Sequence, residues 1–351
     1  MESVHIGKNS CKCVVCDYNS ALESDMNIHM ASDHKGRKSK SNSFSFYFVN
    51  PSNITKIVKK LKNTKAIGED EIQTEVWKKG IVILAGPIAR ICNLSFSAGV
   101  FPDIFKKAII HPIFKGNGKD PHDPGSYRPI SILPSLRKII EIAARSALMD
   151  WLNLHNFIPD CQFGFLPGRS VSMALACAQN DWIKAKAGGD IVGVMAFDLS
   201  AAFDTISSEA LLSKLESTGI TGTPLKWFSS YMNGRYQKTI WNDTISNSCP
   251  VTHGVPQGSI LGPNLFLVMV ADMPNYVLDQ IPNSDMTSYA DDSTVHAHAK
   301  SVELLKTKLE KICDRMISYC HDSGLILNND KTQLLVSSNH EIQIKMGSSL
   351  I

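Results

Sequence analysis

The run from residue 191 to 197, IVGVMAF, has no charged side chain and no polar side chain. A segment of that length and character reads as a buried strand. It ends at Asp198, so the strand carries a carboxylate to its tip. Asp also caps helices and starts turns, and taken alone it needs no further explanation. A second stretch changes its weight: in MTSYADDSTVHAHA, Asp291 and Asp292 sit between two short strand-like runs, at a hairpin turn. Neighbouring antiparallel strands can bring these carboxylates together with Asp198. Like charges ~4 Å apart repel by about 1 kcal/mol in water and several-fold more in a partly dry cleft. Such a cluster calls for cations. Hard oxygen ligands favour Mg²⁺, and a pair of Mg²⁺ ions ~3.5–4 Å apart activates an attacking hydroxyl and stabilises a leaving pyrophosphate oxygen. The chemistry implied is nucleotidyl transfer.

The N-terminus carries a different signal. Cys13 and Cys16 are followed by His29 and His34, the spacing of a tetrahedral zinc site with thiolates from a knuckle and imidazoles from one helix face. It resembles the C2H2 zinc-finger family, with Tyr18 and Met26 as core side chains and Ser20 where an aromatic is usual. Cys11 reads as a spare thiol. The chain has nine cysteines, an odd number, and the six beyond the N-terminal cluster are scattered singly. This speaks for a reducing compartment and against a disulfide framework. The most apolar stretch, IVILAGPIARIC, contains Pro87 and Arg90 and is too short to span a bilayer, and the first residues lack a signal-peptide core. The expectation is a soluble, intracellular protein.

With 351 residues there is ample core for one large domain or two smaller ones. KGRKSKSNS, within residues 35 to 43, reads as a basic flexible linker separating a finger at 11–34 from a second domain at 44–351. The net charge is only +3, yet residues 35 to 68 hold nine Lys and Arg and no Asp or Glu, a stretch suited to a polyanion or to a solvated helix face. Ile54, Ile57, Val58 and Leu61 share one helical face. From Phe44 onward, helical and strand patterns alternate as in one α/β unit.

FDLSAAFDTI, HGVPQGSILGP, YADD and GLILNNDKTQLLV occur in this order, and the ordered set resembles the palm motifs of reverse transcriptases. Upstream, AIGEDEI, IIHPIFKGNGK, YRPISILPSLRKIIE and QFGFLPGRS resemble the finger blocks of polymerases from jockey-like, LINE-type non-LTR retrotransposons. The resemblance implies a right-hand polymerase of α/β (α+β) fold, with fingers and palm, preceded by a small ββα finger. It implies RNA-directed DNA synthesis with two Mg²⁺ or Mn²⁺ ions, one Zn²⁺ in the finger, and RNA template, DNA primer or target and deoxynucleoside triphosphates as partners.

Carried over position by position, Asp198 and Asp291 are the principal metal ligands and Asp292 completes the catalytic carboxylates. Phe203 falls where the family keeps a bulky residue under the sugar, a gate against the ribose 2′-hydroxyl. Plain core is its other reading. Gln257 and Gly258 match the loop touching nucleotide and template; Lys115 and Arg128 match residues gripping the triphosphate; Lys331 matches a lysine near the leaving pyrophosphate; Arg169 matches a nucleic-acid backbone contact. Lys115, Arg128 and Lys331 can equally be solvated charges. Asp204 reads best as a helix-starting residue. Leu166 and Glu71 depart from an Arg and a Gly common in the family. A finger and linker stand where an endonuclease precedes the polymerase in jockey-like elements, and the chain stops near where the thumb should begin, so a truncated or decayed copy is expected. The competing readings are a nucleic-acid-binding protein without synthesis and a group II intron maturase, the latter opposed by the finger and by the GSILGP wording.

Overall fold

A computed structural model of the chain describes residues 11–12, 19–20, 43–63, 68–116, 118–242, 244–337, 343–346 and 349–350. The expected zinc ligands Cys13, Cys16, His29 and His34, and all of the expected linker but Ser43, lie outside the described residues. Cys11–Lys12 pairs antiparallel with Asn19–Ser20.

Helix α1 (Pro51–Lys60) starts where the Asn50 side chain accepts the Asn53 N–H and Pro51 fills the first turn, and it buries Ile54 and Val58. Helix α2 (Thr74–Ala98) ends at Gly99, whose φ of 67° lets its N–H reach back to the Phe96 carbonyl. The stretch read above as too short for a bilayer lies inside this helix. At 25 residues α2 is long and apolar enough, by length and composition, to cross a membrane. Its Ile81, Ala85, Ile88, Cys92 and Phe96 are nonetheless buried in the protein core. The sequence hides this length because Pro87 is accommodated within the helix and does not end it.

Strands β1 (Lys107–Phe114) and β2 (Tyr127–Ile132) form an antiparallel hairpin, and β4 (Arg235–Trp241) adds to β1 in parallel. Strand β5 (Cys249–Val251) lies against β4. Between them in sequence come α3 (Arg137–Leu154), α4 (Val171–Ala187), β3 (Ile191–Phe197), α5 (Ser208–Ser217) and α6 (Gly222–Met232). The chain continues through α7 (Gly262–Val270), α8 (Met273–Leu278), β6 (Ser284–Tyr289), β7 (Asp292–Ala299), α9 (Val302–Ser323) and β8 (Gln333–Val336).

The second sheet has the order β8-β3-β7-β6, antiparallel throughout. The apolar run therefore is a central strand, as its composition requires. On one face α9 covers it so closely that a Cβ on Gly193 would stand 2.7 Å from a Leu309 methyl, and Cys313 lies 3.4 Å, sulfur to sulfur, from Met195. On the other face Val192 and Val194 pack with Ala185 and Trp182 of α4. Phe44 and Phe46 are buried beside Phe96, Trp227 and Phe228, with Phe46 stacked on Phe96 at 4.3 Å. The described fold from Phe44 on is mixed α/β.

Candidate active site

The two halves of the carboxylate cluster meet through strand register. Phe197 pairs with Ser293, so in an antiparallel ladder the next positions, Asp198 and Asp292, face each other. Tyr289 pairs with Asp292, leaving Ala290 and Asp291 as the two-residue turn of the β6–β7 hairpin. The three aspartates thus gather at one end of the sheet. Partial burial, and then the charges of Asp292 and Asp198, push the Asp291 carboxyl above its ordinary range, against the opposing pull of Lys331.

Asp198 has found a cation within the chain. Its Oδ2 accepts from Lys331 Nζ at 3.0 Å and from Asn328 Nδ2 at 3.0 Å. The Asn328 N–H also donates to the Asp198 carbonyl at 2.8 Å. A bridge between Leu199 and Leu327 and a single 3₁₀ turn, Asn329–Lys331, bring these partners in just before β8. Among the described residues no three His, Cys, Asp or Glu side chains are already gathered as a chelate. Of the three aspartates only Asp198 forms an ion pair among the described residues, with Lys331, so repulsion among the carboxylates is only partly offset within the chain.

A second element docks beside the first. Gly254 takes φ 83°, and a Cβ there would lie 2.7 Å from Asp204 Cα, so only glycine permits the approach. The Gly254 N–H donates to the Ile206 carbonyl and the Val255 N–H to the Phe203 carbonyl, both at 2.8 Å. Gln257 has its polar partner in Asp204, Nε2 to Oδ2 at 2.6 Å. Asp204 lies in the first turn of a one-turn helix, Ala202–Thr205, as expected of a helix-starting acid, and it also anchors this loop. Phe203 is half-buried, its ring 5.2 Å from Phe266 in the core and 5.9 Å from Phe165.

The loop is held from behind by a pair that sequence reasoning did not single out. Arg137 and Glu141 are 1% and 0% exposed and joined at 2.5 Å. Glu141 also accepts from the Ile260 N–H at 2.8 Å and from the Tyr231 hydroxyl at 3.1 Å, while Arg137 donates to the Gly258 carbonyl at 3.3 Å. The available signal was two opposite charges four residues apart, on the helix face that also carries Ala144 and Leu148, in RKIIEIAA and the residues after it.

The β1–β2 hairpin reaches this loop through the Ser131 N–H, which donates to the Gln257 carbonyl at 3.1 Å. Arg128 pairs with Ile113, and strand alternation puts Lys115 on the same face. Arg128 is exposed; Lys115 Nζ donates to the Gly125 carbonyl at 2.7 Å. Arg169 is occupied inside the chain, donating to the Gln162 carbonyl at 2.6 Å and pairing with Asp160 at 3.1 Å. Glu71 stands at φ 53°, a conformation that a glycine would take without strain. A cavity of about 330 Å³ lies against the loop, with Ser131, Asp204, Arg235 and Gln257 among its walls; the three carboxylates are not part of it.

Comparison with known proteins places these observations. The family model described as reverse transcriptase (RNA-dependent DNA polymerase) matches residues 114–345. The RNA-directed DNA polymerase from mobile element jockey of Drosophila melanogaster is 29% identical over 289 residues, covering 82% of this chain and 31% of that protein. The probable RNA-directed DNA polymerase from transposon X-element of the same species is 29% identical, covering 80% and 31%. The chain thus spans about a third of the length of these relatives. A likeness to apo telomerase from Candida tropicalis, truncated from its C-terminal domain, has a TM-score of 0.49 at 13% identity, over 80% of this chain and 59% of that one.

Proposed function

Since the chain belongs to the reverse transcriptase (RNA-dependent DNA polymerase) family, we propose that its three-aspartate cluster is the nucleotidyl-transfer site of an RNA-directed DNA polymerase of jockey-like, non-LTR type. The observation that carries this is the register that puts Asp198 opposite Asp292 with Asp291 at the adjoining turn. These carboxylates fit divalent cations, Mg²⁺ or Mn²⁺, because they are crowded and only Asp198 has a cationic partner among the described residues. When bound, the cations supply charge neutralisation and an activated 3′-hydroxyl. The chain's own groups do the rest. Arg128 and Lys115 offer positive charge to a triphosphate from one hairpin face. Gln257 and Gly258 present a rigid loop to the base and template strand. Lys331, already 3.0 Å from Asp198, is placed to carry charge or a proton at the departing pyrophosphate. The substrates are an RNA template, a DNA primer or target and deoxynucleoside triphosphates, and the setting is intracellular. The test is extension of a DNA primer on an RNA template by this segment carried within a full-length polymerase of a jockey-like relative, since the chain spans about a third of such relatives: synthesis that requires Mg²⁺ or Mn²⁺ is expected, and binding of the primed RNA without any synthesis at saturating nucleotide would overturn the reading.

Phe203 serves as the sugar gate in this proposal, its ring backed by Phe266. Phe203→Ala is expected to raise ribonucleotide incorporation relative to deoxynucleotide incorporation by ~10-fold or more, the scale of discrimination that a steric contact supplies. The ratio of the two incorporation efficiencies decides it. If both fall together, Phe203 is core and nothing more.

Residues 11–34 form a C2H2 finger in this proposal, with Cys13, Cys16, His29 and His34 as zinc ligands. A unit that small folds only with its metal. A peptide of residues 1–40 is expected to bind one Zn²⁺ and to gain circular-dichroism structure on doing so, and His34→Ala to weaken the site markedly. Equal order in zinc and in chelator would remove the finger.

A further inference from the structure

The turn that carries Asp291 is made in an unusual way. Ala290 takes φ 61°, a left-handed conformation that costs an L-residue roughly 1–2 kcal/mol and that hairpin turns normally give to Gly, Asn or Asp. It is also only 7% exposed, so its backbone groups are largely shut off from water. Both are satisfied by one side chain from far along the chain. Gln162, 3% exposed, accepts the Ala290 N–H at 3.0 Å through Oε1 and donates through Nε2 to the Ala290 carbonyl at 3.3 Å. The same Oε1 accepts the Gly164 N–H at 2.7 Å.

The segment around Gln162 is shaped for this contact. The Phe163 N–H donates to the Ser288 carbonyl and the Ser288 N–H to the Cys161 carbonyl, both at 2.8 Å, so Gln162 makes a single parallel bridge to Ser288 of β6. A Cβ on Gly164 would stand 2.1 Å from the Ala290 nitrogen, and no other residue allows the loop so near. Arg169, which the resemblance assigned to nucleic acid, closes the loop onto itself and lies over the Phe163 ring at 5.5 Å. The hairpin itself does not need this clamp: β6 and β7 pair over six positions and β7 pairs with β3 over seven. What the clamp adds is a defined backbone at the residue preceding Asp291.

We propose that Gln162 is a positioning residue: its carboxamide, bonded to both backbone groups of Ala290, holds the left-handed turn that aims Asp291 at the cluster with Asp198 and Asp292. The inference rests on the reading of that cluster as a divalent-cation site. Groups that hold metal ligands in orientation by hydrogen bonds typically contribute about 10–100-fold to affinity.

The experiment is titration of the 351-residue protein with Mn²⁺ alone, followed by electron paramagnetic resonance, for wild type, Gln162→Met and Asp291→Asn, with melting curves of each. Gln162→Met is expected to weaken Mn²⁺ binding about 10-fold with a cooperative melt retained, and Asp291→Asn to weaken it at least as much. If Asp291→Asn weakens binding and Gln162→Met binds as wild type does, the positioning role is wrong and the cation site stands. If Asp291→Asn binds as wild type does, the cation site itself is wrong and the inference falls with it. A second measurement needs no variant: hydrogen exchange of the wild-type protein should show the Ala290 amide protected to the level of the β6–β7 ladder. Exchange at the rate of an open turn overturns the clamp.

Discussion

Asp291→Asn is expected to lower the rate of RNA-templated primer extension by ~10³-fold or more, about 4 kcal/mol of lost transition-state stabilisation, while raising the melting temperature of the cation-free protein. The two effects share one cause. Burial and the neighbouring carboxylates hold the Asp291 carboxyl above its ordinary range, so without cations its charge works against folding, and the neutral amide removes that opposition. Asp198→Asn should be as damaging to synthesis but without the gain in stability, because it gives up the 3.0 Å contact with Lys331. Primer extension at saturating Mg²⁺ and thermal melts of both variants test this. Activity within tenfold of wild type in either would remove these carboxylates from the mechanism. A lower melting point for Asp291→Asn would mean that the crowding is relieved in another way.

Glu141→Ala carries the largest expected effect on stability. Breaking a buried ion pair by removing one partner costs about 3–5 kcal/mol, because the other charge is left buried and unpaired. Here Arg137, 1% exposed, would be that charge, and the Ile260 N–H and Tyr231 hydroxyl would lose their acceptor as well. Urea unfolding should show the loss. Arg137→Met with Glu141→Leu should recover much of it, since a well-packed apolar pair avoids the desolvation cost. The double variant still leaves the Gly258 carbonyl without its guanidinium partner, so its folding should recover further than its nucleotide affinity. A loss below ~1 kcal/mol in Glu141→Ala would show that water reaches the pair.

Much of the site was legible beforehand, and the reason is local. IVGVMAF has the composition of a strand covered on both faces, and it is one. YADD lies between two alternating runs, and its hairpin forms with the turn at Ala290 and Asp291. Lys331 was marked by its motif, and it reaches Asp198. Each of these signals is complete within about ten residues, the range over which strand periodicity and turn chemistry operate. Arg169 shows what such local signals leave out, since its partners within the fold, Asp160 and Gln162, are not part of its motif's mark. Helix α2 shows it again: its apolar stretch looked too short because Pro87 reads as a break, while packing against the core carries the helix through all 25 residues.

By itself, then, the sequence determined the strands, the turns and the carboxylates at their tips, because those follow from side-chain polarity taken a few residues at a time. Only the tertiary structure decided what holds them in place: Gln162 on Ala290, 128 residues apart, Asn328 on Asp198, 130 apart, and Glu141 on Ile260, 119 apart. A buried polar group must find a partner, but it can take any donor or acceptor that the fold brings within reach. That choice leaves no periodicity in the sequence, and it is made only when distant segments pack.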